Sequence, residues 1–311
     1  MLPPFALLCL SMAIVEAMAG TLGAGIILAA SSLSCMRSKT WPPYDMIMIL
    51  LSSFRFISQS WATLDFLMTM FSEPFSYIEK VFIPATIIFM VLNYSSLWFG
   101  AWLSVFYCIK VASFTEPFFI WLKQRIARLV PWMLLTSWLC SITAAIPFAL
   151  HVYRVYNNFT APSSLTNSSA MRTTRKDSLD VLIFLSNASI GMPLILSVVS
   201  SVLLVRSLWI HTRRMQNNAS GFRDPSLQAH MKAIKAVCSF LILYIVYFIC
   251  VLLLLFSGFS PFSSEELICI VLITACPTGH TLVLIWSNPK FQELPARIWH
   301  HINCHVRTAS M

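Results

Sequence analysis

Arg55 is the residue whose chemistry most constrains this chain, because it interrupts a long apolar run at its middle. A charge at mid-membrane costs several kcal/mol unless it faces a helix bundle and finds partners there. Arg55 is therefore expected to point inward. It could serve as a polar clasp joining the first, second and seventh helices, with Asn288 and the backbone near His280 as partners, or as a ligand or ion site. Glu16 and Asp65 also lie within apolar runs, toward the ends opposite the basic loops. There a carboxylate can reach the interface or line a wet cavity. Asp65 is the better candidate of the two for contact with a ligand.

No catalytic constellation accompanies these charges. The chain has no Gly-rich phosphate loop, no His-Glu-x-x-His, no serine nucleophile elbow and no carboxylates clustered at a common depth. Nine cysteines are scattered without a CxxC pair, so neither a zinc site nor a disulfide framework is expected. The reading is therefore no enzyme, no metal and no cofactor. A small-molecule membrane transporter stays open as an alternative, although transporters favour paired intramembrane charges and internal repeats. This chain offers one mid-membrane base and no detectable repeat.

The elements that must position these residues follow from composition. Of 311 residues, 58% are hydrophobic and 11% charged, against about a quarter charged in soluble domains. The apolar excess needs lipid to cover it. Seven stretches are long enough to span the hydrocarbon, roughly 5–34, 45–70, 81–110, 126–150, 180–206, 230–256 and 265–288, followed by a short tail over 289–311. The expected fold is an all-α membrane protein, a single seven-transmembrane helix bundle. Fifteen of the 21 Lys and Arg residues fall in one set of alternate connections and the tail, and five in the other. The positive-inside rule then places the N-terminus outside and the C-terminus in the cytoplasm, as expected of a multi-pass protein of the plasma membrane. The net charge of +9 thus reflects membrane lipid rather than nucleic acid, for which no basic run interleaved with aromatics is present. The sequons at Asn158 and Asn167 fall in the long second outer loop of this topology and are the expected glycosylation sites.

Longer motifs carry a family resemblance. The stretch from Leu103 to Ile126, LSVFYCIKVASFTEPFFIWLKQRI, resembles the end of helix 3 and the second inner loop of the type 2, or bitter, taste receptors. Similar to that family are also His211-Thr212, Met215-Gln216, Asp224-Pro225-Ser226, Ala229-His230 and the run from Ser239 to Tyr244. Helix 7 adds Pro277, His280, Leu284-Ile285, Asn288 and Lys290, and helix 2 adds Ser53-Phe54-Arg55. The Asp-Arg-Tyr and Asn-Pro-x-x-Tyr motifs of rhodopsin-like receptors are missing.

The resemblance implies a G-protein-coupled receptor that binds small bitter agonists in an outer helix-bundle cavity. It further implies a heterotrimeric G protein of the gustducin type as partner, leading to phospholipase C and calcium signalling. Phe89 and Asn93 are the expected ligand residues. Four apart on one helical face, they can present an aromatic wall and an amide to the same molecule. Asn93 could equally be an interhelical hydrogen bond. Ile270 falls near a ligand-facing position of helix 7. Arg55, His230, His280 and Asn288 take structural or activation roles. Lys110, Lys123, Arg213, Lys232 and Lys235 form a G-protein-facing group that can also anchor to anionic lipid. Two departures, Ala24 where the family usually carries Asn and Glu116 where it carries His, leave open an orphan or weakly coupled member. If the topology holds, replacing Asn158 or Asn167 with Gln should each remove one glycan, read as a mobility step abolished by endoglycosidase.

Overall fold

A computed structural model describes residues 3–71, 79–111, 116–160, 188–207, 209–210, 225–256, 259 and 263–292. Among them run seven long helices: α1 (Pro4–Ser38), α2 (Pro43–Phe71), α3 (Glu79–Val111), α4 (Pro117–Thr160), α5 (Ala188–Ser207), α6 (Pro225–Phe256) and α7 (Ser264–Ser287). In lipid no water is present to pair with backbone N–H and C=O groups, so each span must close its own hydrogen bonds as a helix. Proline sets several starts. α1, α2, α4 and α6 all open on a proline, whose fixed φ suits the first turn and whose missing N–H would be unpaired there anyway. α7 starts differently: the Ser263 side chain accepts from the Glu266 amide, and Glu265 and Glu266 lie against the positive end of the helix dipole. α1 stops at Lys39, which takes a left-handed φ of 52°.

Six of the helices are long and apolar enough to cross a membrane. α2 is not among them. It has the length, 29 residues, but Asp45, Arg55, Asp65 and a run of Ser and Gln dilute its apolar character. Its polar side chains turn inward instead: Ser52, Arg55, Ser58 and Gln59 are all buried. α4 runs well past both ends of the span expected from sequence. Its 44 residues extend about 66 Å at 1.5 Å per residue, roughly twice the hydrocarbon thickness. Asn158 accordingly belongs to the last turns of α4 rather than to a loop.

The packing order closes a ring. α1 lies against α2 and α7, α2 against α3 and α4, α3 against α4 and α6, and α6 against α7. α5 joins through a cluster in which Ile190 packs with Tyr94, Leu97, Phe240 and Tyr244, and the Tyr244 hydroxyl donates to the Ile190 carbonyl at 2.8 Å. Large apolar side chains such as Val15, Leu22, Trp132, Ile195, Val202 and Ile242 are exposed on the outside. Many serines and threonines point inside, several with their hydroxyls bonded to the carbonyl one turn back. This arrangement inverts that of a soluble bundle and suits a lipid surround.

Small residues let α1 approach closely. Ala13, Ala17, Gly20, Gly23, Ala24 and Ala30 form a buried stripe. A Cβ at Gly20 would strike Gln59 Oε1 and come within 2.5 Å of Thr278 Oγ1. One at Gly23 would lie 2.9 Å from the Thr281 methyl. Across the bundle, Gly100 makes room for the Phe240 ring, 2.7 Å from where a Cβ would sit. Gly191 has nothing within 4 Å of that position. Gly20→Val should therefore destabilise the bundle by about 1–3 kcal/mol through overpacking, while Gly191→Ala leaves it unchanged. Thermal unfolding of the detergent-solubilised chain reads both.

Candidate functional site

Toward the end of the bundle away from Lys110 and Lys290, the helices part around a cavity of about 610 Å³. That volume is within the usual 300–1,000 Å³ of small-molecule sites. Asp65 and Thr69 come from α2, Phe89 and Asn93 from α3, Ile190 from α5, Tyr247 and Val251 from α6, and Ile270 and Thr274 from α7. All four ligand residues expected from sequence, Asp65, Phe89, Asn93 and Ile270, line this one cavity. One hydrogen bond of Asn93 stays within its own helix. Its Nδ2 donates to the Phe89 carbonyl at 2.8 Å, fixing its orientation on α3. Gln59, Tyr247 and Thr274 are wall residues that sequence reasoning missed. Tyr247 had a signal, because it stands three residues from the buried Tyr244 on the same helical face. Glu16 is not among the lining residues; its backbone carbonyl instead accepts from Thr278 at 3.0 Å.

Beneath the cavity is the clasp that Arg55 makes. The side chain is 3% exposed. Nη1 donates to Thr281 Oγ1 at 3.1 Å, and Nη2 lies 2.9 Å from His280 Nδ1. A guanidinium carries only donors, so Nδ1 must accept and the His280 hydrogen resides on Nε2. The partners thus differ from those expected. His280 contributes its ring rather than nearby backbone, and Asn288 lies elsewhere, donating to the Tyr44 hydroxyl at 3.1 Å. The reason is depth: Arg55 sits one turn beyond Gln59, level with the middle of α7, whereas Asn288 follows its last residue. His280 also packs on Phe240 with ring centroids 4.4 Å apart, so the clasp ties α2 to α7 and α7 to α6.

Arg55 Nε is buried with no hydrogen-bond partner among the described residues. α1 and α2 are successive spans that run in opposite directions, and Gly20 faces Gln59. One turn further along each helix, Ala24 is level with Arg55 and fully buried. A side chain that ends at Cβ can offer Nε nothing.

Clasp and cavity share a wall. A second cavity of about 20 Å³ is lined by Arg55, His280, Phe240 and Tyr244, and also by Asn93, Ser96, Tyr247 and Pro277. The last four line the large cavity as well. The small space is sufficient for about one water molecule. Pro277 interrupts the hydrogen-bond ladder of α7 just above the clasp, and its carbonyl accepts from Thr281 at 2.8 Å.

The other end of the bundle is basic. Lys290 Nζ reaches Asp45 Oδ1 at 2.6 Å, with the carboxylate largely buried. The Tyr107 hydroxyl lies 3.4 Å from that of Tyr44, so α2, α3 and the chain after α7 meet at Tyr44. Lys110, Lys123 and Lys235 are exposed, Lys110 with its ammonium 5.8 Å from the Phe106 ring centre. Glu116 stands just before α4, where its carbonyl accepts from Phe119 and Ile120 and its acid suits the helix N-terminus. The side chains of Asn158, His230 and Lys232, and the whole of Asn167 and Arg213, lie outside the described residues.

A double-mutant cycle checks the clasp. Arg55→Ala and His280→Ala should each lower thermal stability, and the double variant should cost less than their sum by about 1–3 kcal/mol, because each single change leaves the other partner buried and unpaired.

A family model described as "Taste receptor protein (TAS2R)" matches residues 1–302. Taste receptor type 2 member 40 of Gallus gallus is 54% identical over 303 residues, covering 97% of each chain. Taste receptor type 2 member 39 of Homo sapiens is 35% identical over 96% of this chain and 88% of its own, and its Mus musculus counterpart is 31% identical over 97% and 93%. The helical membrane bundle, its central cavity and these relatives agree: the chain belongs to the taste receptor type 2 family, G-protein-coupled receptors for bitter taste in the plasma membrane rather than enzymes.

Proposed function

We propose that small bitter agonists bind in the 610 Å³ cavity and that binding activates a gustducin-type G protein, with phospholipase C and calcium release downstream. The observation that carries this reading is the shared wall. Asn93, Tyr247 and Pro277 face the ligand space on one side and the Arg55–His280 chamber on the other. A ligand can shift a conformational equilibrium only by its difference in affinity for the two states. Here that difference arises at a wall contributed by α3, α6 and α7, where Phe240 of α6 packs against Gly100 of α3 and on His280 of α7, which Arg55 holds from α2.

In this proposal the cavity faces outward and the basic end faces the cytoplasm, with Asn158 and Asn167 on the outer side. Separation of α3 and α6 at the basic end would open a groove rimmed by Lys110, Lys123, Arg213, Lys232 and Lys235. A partner helix could dock its apolar face there, and between events the same residues would rest on anionic lipid. The tie from Lys290 to Asp45 keeps one base out of that group.

The test is a calcium assay in cells expressing the chain with a gustducin-like G protein, across a panel of bitter compounds and beside mock-transfected cells. Wild type should respond to some compounds. Asn93→Ala, at equal surface level, should need roughly tenfold more agonist, the equivalent of one good hydrogen bond. Silence from a chain shown to be at the surface would overturn the reading.

A further inference from the structure

We propose that the small chamber beside Arg55 is a binding site for one monatomic anion, chloride, which supplies the counter-charge that the helices themselves do not. The site stands whether or not an agonist occupies the cavity above it.

The charge of Arg55 has no opposite. Both partners in the clasp are neutral: Thr281 offers a hydroxyl, and His280, accepting through Nδ1, is an uncharged ring. Among the described residues Arg55 forms no ion pair; the salt bridge at the basic end joins Lys290 to Asp45. The acids of the surrounding helices are distant. Asp45 and Asp65 each lie ten residues from Arg55 along α2, about 15 Å on the axis. Glu16 lies eight residues from Ala24 along α1, about 12 Å. Those of α3 and α7 stand at the helix starts, Glu79 and Glu265 with Glu266, and α4, α5 and α6 carry none. A charge taken out of water and left unpaired is costly, and neutral hydrogen bonds recover only part of that cost.

The donors around it are in surplus. A guanidinium has five N–H donors and no acceptor. The clasp uses one hydrogen on Nη1 and one on Nη2, and Nε is buried with no partner among the described residues. Arg55 lines the chamber together with Asn93, Ser96, Tyr247 and His280, and each of these can donate. Asn93 keeps a second amide hydrogen beyond the one given to the Phe89 carbonyl, Ser96 and Tyr247 carry hydroxyls, and His280 carries its hydrogen on Nε2. No carboxylate is among the described residues of this lining. Donors gathered around one fixed positive charge suit an anion, whereas a metal cation or an ammonium would be repelled. Leu97 and Leu243 complete the walls with apolar surface, where the attraction between opposite charges is stronger than in water.

Size selects among anions. At about 20 Å³ the chamber admits an occupant near the size of one water molecule. Chloride and bromide are of that order; sulfate, phosphate and gluconate are too large. A water would fill the same space but leave the charge of Arg55 unbalanced. The wall shared with the large cavity gives the ion its route, because Asn93, Ser96, Tyr247 and Pro277 border both spaces.

Thermal unfolding of the detergent-solubilised full chain tests this, with sodium chloride replacing sodium gluconate at constant sodium concentration and ionic strength. The melting temperature should rise along a saturating curve, by roughly 3 °C at about 150 mM chloride for a dissociation constant on the order of 10 mM. Bromide should act as chloride does. Ser96→Ala, which keeps the chamber and loses one donor, should need roughly tenfold more chloride for the same rise, the scale of a lost hydrogen bond to a charged group. Ser96→Asp places a tethered carboxylate in the chamber, so it should melt in gluconate where wild type melts in chloride and should not respond to chloride. If Ser96→Asp does not fold, the chloride dependence of Ser96→Ala decides. Equal melting in chloride and gluconate would mean that water alone occupies the chamber, and a chloride response unchanged in the Ser96 variants would place the ion elsewhere; either result overturns the proposal.

Discussion

A guanidinium buried in a lipid-embedded bundle must be given partners by the protein, and the rest of this structure is arranged around that requirement. Arg55 cannot snorkel to water from the middle of α2, so α7 must bring His280 and Thr281 within hydrogen-bond distance. For α7 to come that close with α1 packed against both helices, α1 has to present almost no side chain, and its stripe of Ala and Gly meets that need. The same approach brings Thr278 under the Glu16 carbonyl and beside Gln59. Three helices thus meet at a polar seam that a bundle held by Leu and Ile alone would not contain.

The seam also determines where space can open. Below Arg55, Ile27, Met48, Leu51, Phe99, Leu103 and Leu284 fill the interior. Above it, shorter or polar side chains, Ser58, Gln59, Thr69 and Thr274, stand among larger ones such as Phe89 and Tyr247, and the helices leave room between them. Packing density and site are therefore two sides of one choice of side chains along the bundle axis. Apolar residues face outward along its whole length, where lipid rather than protein meets them.

Much of this was legible in sequence because lipid leaves few alternatives. A single arginine in an apolar run had to face inward, and helices were the only spans available. Phe89 and Asn93, four apart, had to share a face, and they share the cavity. Contacts between helices were not legible. Nothing local in Arg55 or His280 says that a ring nitrogen, rather than Asn288 or backbone, accepts the guanidinium, since that depends on the relative depth of α2 and α7. Hydropathy located the apolar part of α4 but not its ends, because a helix continues past the membrane surface as long as its own hydrogen bonds hold. α2 illustrates the converse, for its inward polar residues lower the very quantity by which a span is recognised.

The wall between the two chambers has an evolutionary consequence. Asn93, Ser96, Tyr247 and Pro277 each touch both spaces, so under the proposed agonist reading a change at any of them would alter the range of compounds detected and the resting balance of the receptor together. Such positions would evolve under two constraints at once. Asp65, Phe89 and Ile270 touch only the upper space. Under the same reading the rim is where a lineage facing new dietary toxins would retune its chemistry without disturbing the balance of the unoccupied receptor.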